Sequence, residues 1–188
     1  MILSMTLVKV TTIFLLAAAL GSNALAADKS RILSKVDPLP LALSDDLQFR
    51  KTKLFFLSEV PPKAKKSAFS SAQNVGIAEA SMNFERTYRM YGAITWADFR
   101  QRFGNYFDFF WRAKRPANVT VRLEYRQEKL RSFVQAREMT YSNAKGSQKT
   151  EFAVIGDDYL NDGRVISWRC LLIENGRIAA ENRSYLWE

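Results

Sequence analysis

The sequence predicts an all-β fold of antiparallel strands, and three observations support this. Apolar and polar residues alternate strictly over residues 119–126, as they do in a strand that buries one face. Aromatic residues, which strands favour, make up 13% of the 188 residues. Turn-forming residues separate short extended segments, while apolar repeats of helical period are almost absent. These features are typical of a β domain with short connections.

The first 26 residues have the order of a secretory signal peptide. Lys9 precedes an apolar run at 10–20, and Ala24 and Ala26 place small residues where a signal peptidase cuts. The run is shorter than the roughly 20 apolar residues that span a bilayer, which disfavours the alternative of a retained anchor. We therefore expect a signal peptide over 1–26, a mature chain from Ala27, and a secreted or periplasmic protein without a transmembrane anchor.

The next residues lead into the domain. Residues 27–48 are interrupted by Pro38 and Pro40, which favour an extended, irregular path. Residues 51–60 predict the first strand. Two prolines and three lysines at 61–67 cannot all pair in a sheet and resist burial, so they predict an exposed connector.

A second strand and a short helix are predicted next. Residues 78–91 alternate in the manner of a strand and are rich in aromatic side chains. Thr95 and Asp98 have the spacing of a capping box, in which each side chain accepts a hydrogen bond from the other residue's backbone. We expect at most this one short helix, near 95–102.

The later strands complete the pattern. Extended segments are predicted at 106–113, 119–126, 132–141 and 150–155, with a turn at 143–146. Residues 165–173 and 178–187 predict a hairpin around Asn175-Gly176, a dipeptide that suits a type I′ turn. Alternate residues of its first strand should share one buried face: Trp168, Cys170 and Leu172.

About eight strands cannot bury their apolar faces in one flat layer, so two layers or a barrel are required. We favour an antiparallel β-sandwich of immunoglobulin-like architecture over a barrel, as a single domain over residues 49–188. The chain has only one cysteine, so the disulfide of antibody domains cannot form within it. The likeness is therefore architectural only.

Composition excludes several kinds of chemistry. The chain has no histidine, which excludes Ser-His-Asp and Cys-His catalytic centres, and with one cysteine it cannot build a Cys/His zinc site. We expect no cofactor. The net charge of +9 favours anionic partners such as an envelope surface or a glycan. Export and the lack of a basic helical face argue against nucleic acid.

The densest unusual feature lies between residues 84 and 111, where aromatic and arginine residues are interleaved. Aromatic rings can stack on sugar rings while guanidinium groups hold anionic groups. The alternative is that these rings fill the core and the arginines cover its edge. The binding residues predicted by the first interpretation are Trp96, Arg100, Arg102, Tyr106 and Arg112.

An acidic loop at 156–163 offers weak candidates for a metal site in Asp157, Asp158 and Asp162. The EF-hand spacing fails, because the third position from Asp158 is a leucine and the twelfth is an arginine. Aspartate and glycine are also ordinary turn formers, so we predict no metal.

Function is the least constrained property. We expect an exported, non-enzymatic binding or assembly module for an anionic glycan, an envelope surface or a protein partner. The alternative is a carboxylate-dependent enzyme acting on polysaccharide, which needs two carboxylates at a defined separation. The sequence singles out no such pair.

Overall fold

The computed structural model describes residues 30–58 and 72–187, with side chains given from residue 81 onward in the second range. The predicted signal peptide, its cleavage site and the predicted connector at 61–67 lie outside the described residues.

Six strands and three helices make up the described chain. In order they are β1 (Arg31–Leu33), β2 (Leu47–Leu57), α1 (Ala72–Met90), α2 (Trp96–Arg100), β3 (Gly104–Gln127), β4 (Gln135–Ile155), α3 (Asp157–Asp162), β5 (Val165–Glu174) and β6 (Arg177–Arg183). Among these helices, none combines the length and the apolar composition that a bilayer crossing requires.

The strands form one antiparallel sheet organised around β3. Its order is β1-β4-β3-β5-β6, and β2 also pairs with β3. One edge of β3 pairs with β4 over residues 104–125. The other edge pairs with β2 over residues 104–113 and with β5 over residues 120–127. A single strand therefore has two halves with different neighbours.

The register shifts between Ala113 and Val119 mark the junction of these halves. Arg115, within this junction, donates two hydrogen bonds to the Glu174 carboxylate, at 2.7 and 2.8 Å, and one to Asp46 at 2.9 Å. These bonds raise the pKa of Arg115 above its ordinary value, so the guanidinium stays charged. They tie the junction to the end of β5 and to the residue before β2.

The two halves contribute to one main core. Phe107 and Phe109 of the first half lie 6.1 and 5.4 Å from Trp168 of β5, between ring centroids, although β5 pairs only with the second half. The sheet therefore bends strongly between the two halves of β3, because Phe107 contacts Trp168 although Trp168 pairs with Tyr125, about 18 residues farther along the strand. Trp168, Cys170 and Leu172 are all buried in this core, which confirms the face predicted for them.

Two smaller clusters lie outside the main core. Side chains from all three helices cover the end of β2 and the start of β3, in a cluster that includes Leu57, Met90, Phe99, Phe103, Tyr106 and Tyr159. On β5 and β6, a cluster of Leu171, Ile173 and Ile178 packs against Leu39.

The lead-in segment runs beside β6. Leu41 forms a parallel bridge with Ile178. The Ile178 amide donates to the Pro40 carbonyl, and the Ala42 amide donates to the Ile178 carbonyl, both at 2.9 Å. The residues that precede β2 are thus held against a strand that comes late in the chain.

The mostly β, antiparallel character of the prediction is confirmed, while the list of strands needs three corrections. The predicted segments 106–113 and 119–126 are one strand, β3. The segments 132–141 and 150–155 are likewise joined in β4, since the expected turn at 143–146 is an irregularity within that strand. Asn143 and Gly146 have the positive φ expected of the turn, at 54° and 77°, yet the strand continues past them.

The third correction concerns residues 78–91, where the strand prediction is wrong. Residues 78–90 belong to α1 and Tyr91 follows it in a turn, so the expectation of at most one short helix is also wrong. Phe84 and Tyr88 are four residues apart, a spacing that fits both a strand face and a helix face. The half-buried positions are the adjacent pairs 85–86 and 89–90, which repeat every four residues as on a helix and do not alternate as on a strand.

Two local predictions are confirmed. The Thr95 hydroxyl accepts from the Asp98 amide at 3.2 Å, and the Asp98 carboxylate accepts from the Thr95 amide at 2.8 Å, which completes the capping box of α2. Those bonds to the carboxylate hold the pKa of Asp98 below its ordinary value. Asn175 and Gly176 have φ of 52° and 71° between β5 and β6, as a type I′ turn requires.

Candidate binding surface

Four aromatic side chains, which we call the aromatic ridge, stand exposed along α1 and α2: Phe84, Tyr88, Tyr91 and Trp96. Their exposed fractions range from 56% to 84%. The rings of Phe84 and Tyr88 are stacked, 6.4 Å apart and 12° from parallel. Because the main core has its own aromatic residues, these four are surplus to it.

A neighbouring side of α1 contacts the sheet through charged side chains, and Met90 adds an apolar contact. Arg89 donates to Asp108 of β3 at 3.3 Å, and its guanidinium carbon lies 4.4 Å from the centre of the Tyr106 ring. Glu85 forms a second ion pair with Arg89 at 3.6 Å. A cleft of about 330 Å³ lies between α1 and the β2–β3 pair, and Lys53 is among the side chains that line it.

Two of the sequence-predicted binding residues belong to this scaffold. Arg102 Nη1 donates to the carbonyl oxygens of Arg89 at 2.9 Å and of Tyr91 at 2.5 Å, so it satisfies carbonyls that the end of α1 leaves unpaired. Tyr106 is buried, and its hydroxyl donates to the Arg102 carbonyl at 2.6 Å. Burial raises the pKa of Tyr106, against the lowering effect of the Arg89 and Arg102 charges.

Two other predicted residues lie on the same exposed side of α2. Trp96 and Arg100 are four residues apart in α2, a spacing that places them on the same side of a helix. Both are exposed, and Trp96 also makes an edge contact with Phe103, with centroids 6.0 Å apart. This pair is the part of the predicted site that the structure leaves open to a ligand.

The fifth predicted residue, Arg112, lies apart from the others. It is six residues beyond Tyr106 on β3, about 20 Å at the usual rise of a strand. The structure therefore does not gather the five residues into one site.

Arg112 instead belongs to a group of exposed cations on the first half of the sheet, which we call the cationic face: Lys51, Lys53, Arg112 and Lys114. Even-numbered residues of β3 point away from the main core. Lys51 is directly opposite Phe110, and Lys53 is opposite Asp108, so the β2 lysines share that outer side. Within the two described ranges, no acidic side chain pairs with any of the four.

The same side of the second half of the sheet is arranged differently. Four of its charged residues alternate in sign across the strands, and we call them the paired face: Glu138, Arg122, Glu124 and Arg169. Arg122 bonds Glu138 at 2.6 Å and lies 3.6 Å from Glu124, while Arg169 bonds Glu124 at 2.7 Å. Arg31 of β1 extends the series to Glu138 at 3.2 Å.

Trp187 covers part of the paired face. Its ring lies 4.6 Å from the guanidinium carbon of Arg126 and 5.2 Å from that of Arg169, and the residue is buried. Glu124 beneath is only 2% exposed. These groups have little surface left for a ligand.

The acidic candidates for a metal site lie in α3. Asp158 pairs with Arg137, and Asp157 accepts from Gln101 at 3.5 Å. The Gln127 amide fixes the same segment by donating to the carbonyls of Asp158 and Gly163, both at 2.8 Å. In the described part of the chain, no three acidic or cysteine side chains converge as metal ligands do.

Sequence reasoning missed Lys51 and Lys53. Their position beside Arg112 depends on the pairing of β2 with β3, which joins residues about 60 positions apart. The available signal was the cluster of basic residues at 50–53 within a predicted strand.

Comparison with known proteins adds no family: no family model, curated protein or solved structure matches this chain. What the surface can bind must be argued from its own chemistry.

Proposed function

We propose that the protein is an exported, non-enzymatic module that binds an anionic glycan of the cell envelope through the aromatic ridge. The exposure of that ridge is the observation that carries the proposal. Large rings in water cost free energy unless a partner covers them, and Phe84 and Tyr88 are exposed as a stacked pair. Flat rings are suited to stacking on sugar rings.

Charge complements the ridge. The chain carries a net charge of +9, and Arg100 stands beside Trp96 on α2 with no partner among the described residues. A guanidinium offers several donors to a sulfate, phosphate or carboxylate group. A ring for the sugar and a cation for its substituent thus lie side by side.

The wider proposal includes the immunoglobulin-like sandwich, the signal peptide over 1–26 and the secreted or periplasmic location. The two sheet halves that face each other across the main core support a layered scaffold. The order of charge, apolar run and small residues supports export.

The alternative, an enzyme that uses two carboxylates, has less support. Asp108, Glu124 and Glu138, the buried carboxylates of the sheet, each lie against two cationic side chains. The arrangement is typical of structural ion pairs.

A binding titration tests the proposal. Wild type is titrated with polygalacturonate, dextran sulfate and neutral dextran, at low and high salt. Trp96→Ala should weaken binding to the anionic polymers about tenfold at both salt concentrations, because stacking is not screened. Arg100→Gln should weaken it mainly at low salt.

Phe133→Ala is the matched control, since Phe133 is 61% exposed but lies outside the ridge, in the connection between β3 and β4. It should bind as wild type does. The proposal fails if wild type binds none of the polymers, or if Phe133→Ala weakens binding as much as Trp96→Ala.

A further inference from the structure

We infer that the cationic face is a second contact, which binds sulfate or phosphate groups carried by the same glycan. The inference rests on the proposed function, and it concerns a different part of the molecule from the aromatic ridge. Its basis is the contrast between cations that form ion pairs with acidic side chains and cations that are exposed without such partners in the described chain.

The geometry places several cations around one ring. Phe110 of β3 is directly opposite Lys51 on one neighbouring strand and Lys149 on the other. Strands are about 4.8 Å apart, so the three side chains span about 10 Å across the sheet. Arg112 is the next outward residue of β3, about 7 Å farther along the strand.

Lys149 neutralises the acidic groups of this region. Its Nζ lies 3.2 Å from Asp108 Oδ2, and it also pairs with Glu151. Asp108 is further bound by Arg89. These carboxylates already have partners, and within residues 30–58 and 72–187 no acidic side chain pairs with Lys51, Lys53, Arg112 or Lys114.

These exposed cations extend along about 20 Å of the sheet, from Lys53, which is opposite Asp108, to Lys114, and their mutual repulsion is relieved when anions bind along the row. Three of the four are lysines, which act as compact point charges and suit oxyanions of high charge density. Arg112 adds a planar fork for two oxygens of one group. Sulfate and phosphate esters fit this set better than a neutral sugar.

The test compares two double variants that each remove two exposed charges. In Lys51→Gln/Arg112→Gln both substitutions lie on the cationic face. In the control, Arg177→Gln/Arg183→Gln, both lie on β6 and are exposed without acidic partners in the described chain. The full chain is titrated with dextran sulfate, neutral dextran and polygalacturonate, with inorganic polyphosphate as competitor.

The cationic-face variant should lose about thirtyfold in affinity for dextran sulfate at low salt, and the control less than threefold. Loss for polygalacturonate should be smaller, and polyphosphate should compete with dextran sulfate on wild type. Thermal unfolding midpoints should match wild type for both variants, because the four substituted side chains are exposed: Lys51, Arg112, Arg177 and Arg183.

The outcomes separate the two proposals. Equal losses in both double variants would mean that only net charge matters, which overturns the cationic face and leaves the ridge standing. If Trp96→Ala binds as wild type does but the cationic-face variant is impaired, the ridge fails and the face stands. If wild type binds no anionic polymer, both fail.

Discussion

Charged side chains on the outer side of β3 are arranged in two different ways along the one strand. On its second half, Glu124 and its neighbours form an alternating series of ion pairs beneath Trp187. On its first half, Arg112 and the β2 lysines stand exposed without acidic partners in the described chain. The two halves belong to the same strand and sheet, and these side chains lie on the same side of it, so secondary structure does not explain the difference.

The comparison shows which charges the fold requires. A buried carboxylate is tolerable only when cations surround it, so the paired face is part of the scaffold. Exposed lysines contribute little to folding, and their clustering needs another explanation.

The largest effect is expected from Glu124→Gln. The change keeps the shape of the side chain but leaves Arg122 and Arg169 without their shared carboxylate, at a position only 2% exposed. Breaking a buried pair from one side costs about 3 kcal/mol. Chemical denaturation should show that loss, while Glu151→Gln, in an exposed pair on the first half, should lose less than about 1 kcal/mol. Equal losses would remove the distinction between the halves.

Gly176→Val should have the next largest effect, because it strains the hairpin that carries part of the paired face. Gly176 has φ of 71°, which a β-branched residue enters only with strain, and the expected loss is about 1–3 kcal/mol. An added Cβ meets no atom within 4 Å, so a clash is not the cause. Gly176→Asn is the control, since asparagine tolerates positive φ. If both variants lose the same stability in a thermal melt, backbone strain is not the reason.

Alkaline pH should weaken the fold through buried tyrosines. Burial raises the pKa of Tyr106, Tyr125 and Tyr141 in the folded protein. The unfolded chain therefore releases these protons first, near pH 10, and the free energy of unfolding falls as pH rises beyond that value. Tyr106→Phe should cost about 1 kcal/mol at pH 7, through its lost bond to Arg102, yet reduce the alkaline loss. An unchanged alkaline profile would contradict the burial of this phenol beneath α1.

The smallest effect on stability is expected at the cationic face. Lys51→Gln and Arg112→Gln should each change the free energy of unfolding by less than about 0.5 kcal/mol, because exposed side chains without partners contribute little. Added salt should slightly stabilise wild type by screening their repulsion, and this gain should shrink in the double variant. A loss above 1 kcal/mol would place these cations in the scaffold.

Local patterns predicted the parts of the fold that local chemistry determines. The Asn175-Gly176 turn and the Thr95 capping box depend on a few neighbouring residues, and both are confirmed. The continuity of β3 through the junction at 113–119 depends on partners far along the chain, such as Glu174 for Arg115. No pattern in residues 106–126 reveals that partner, so one strand was predicted as two.

The residues of the candidate surface likewise differ in whether local sequence or distant pairing determines their positions. Trp96 and Arg100 share one side of α2 because four residues separate them, and the sequence predicts a short helix at 95–102 and names both residues. Arg102 carries the same charge as Arg100, but its guanidinium donates to a backbone carbonyl at the end of α1, which residue spacing does not show. The grouping of Lys51 with Arg112 required the register between β2 and β3.

The bridge between the lead-in and β6 has a consequence for the timing of folding. Leu41 can be paired only after Ile178 has been synthesised, so the early segment must wait for a late strand. Contacts of such large sequence separation form slowly, because a long loop must close first. The β3–β4 hairpin, being local, should assemble earlier and leave the outer edge of the sheet unclosed. The bridge between the lead-in and β6 therefore forms only after nearly all of the described chain has been synthesised.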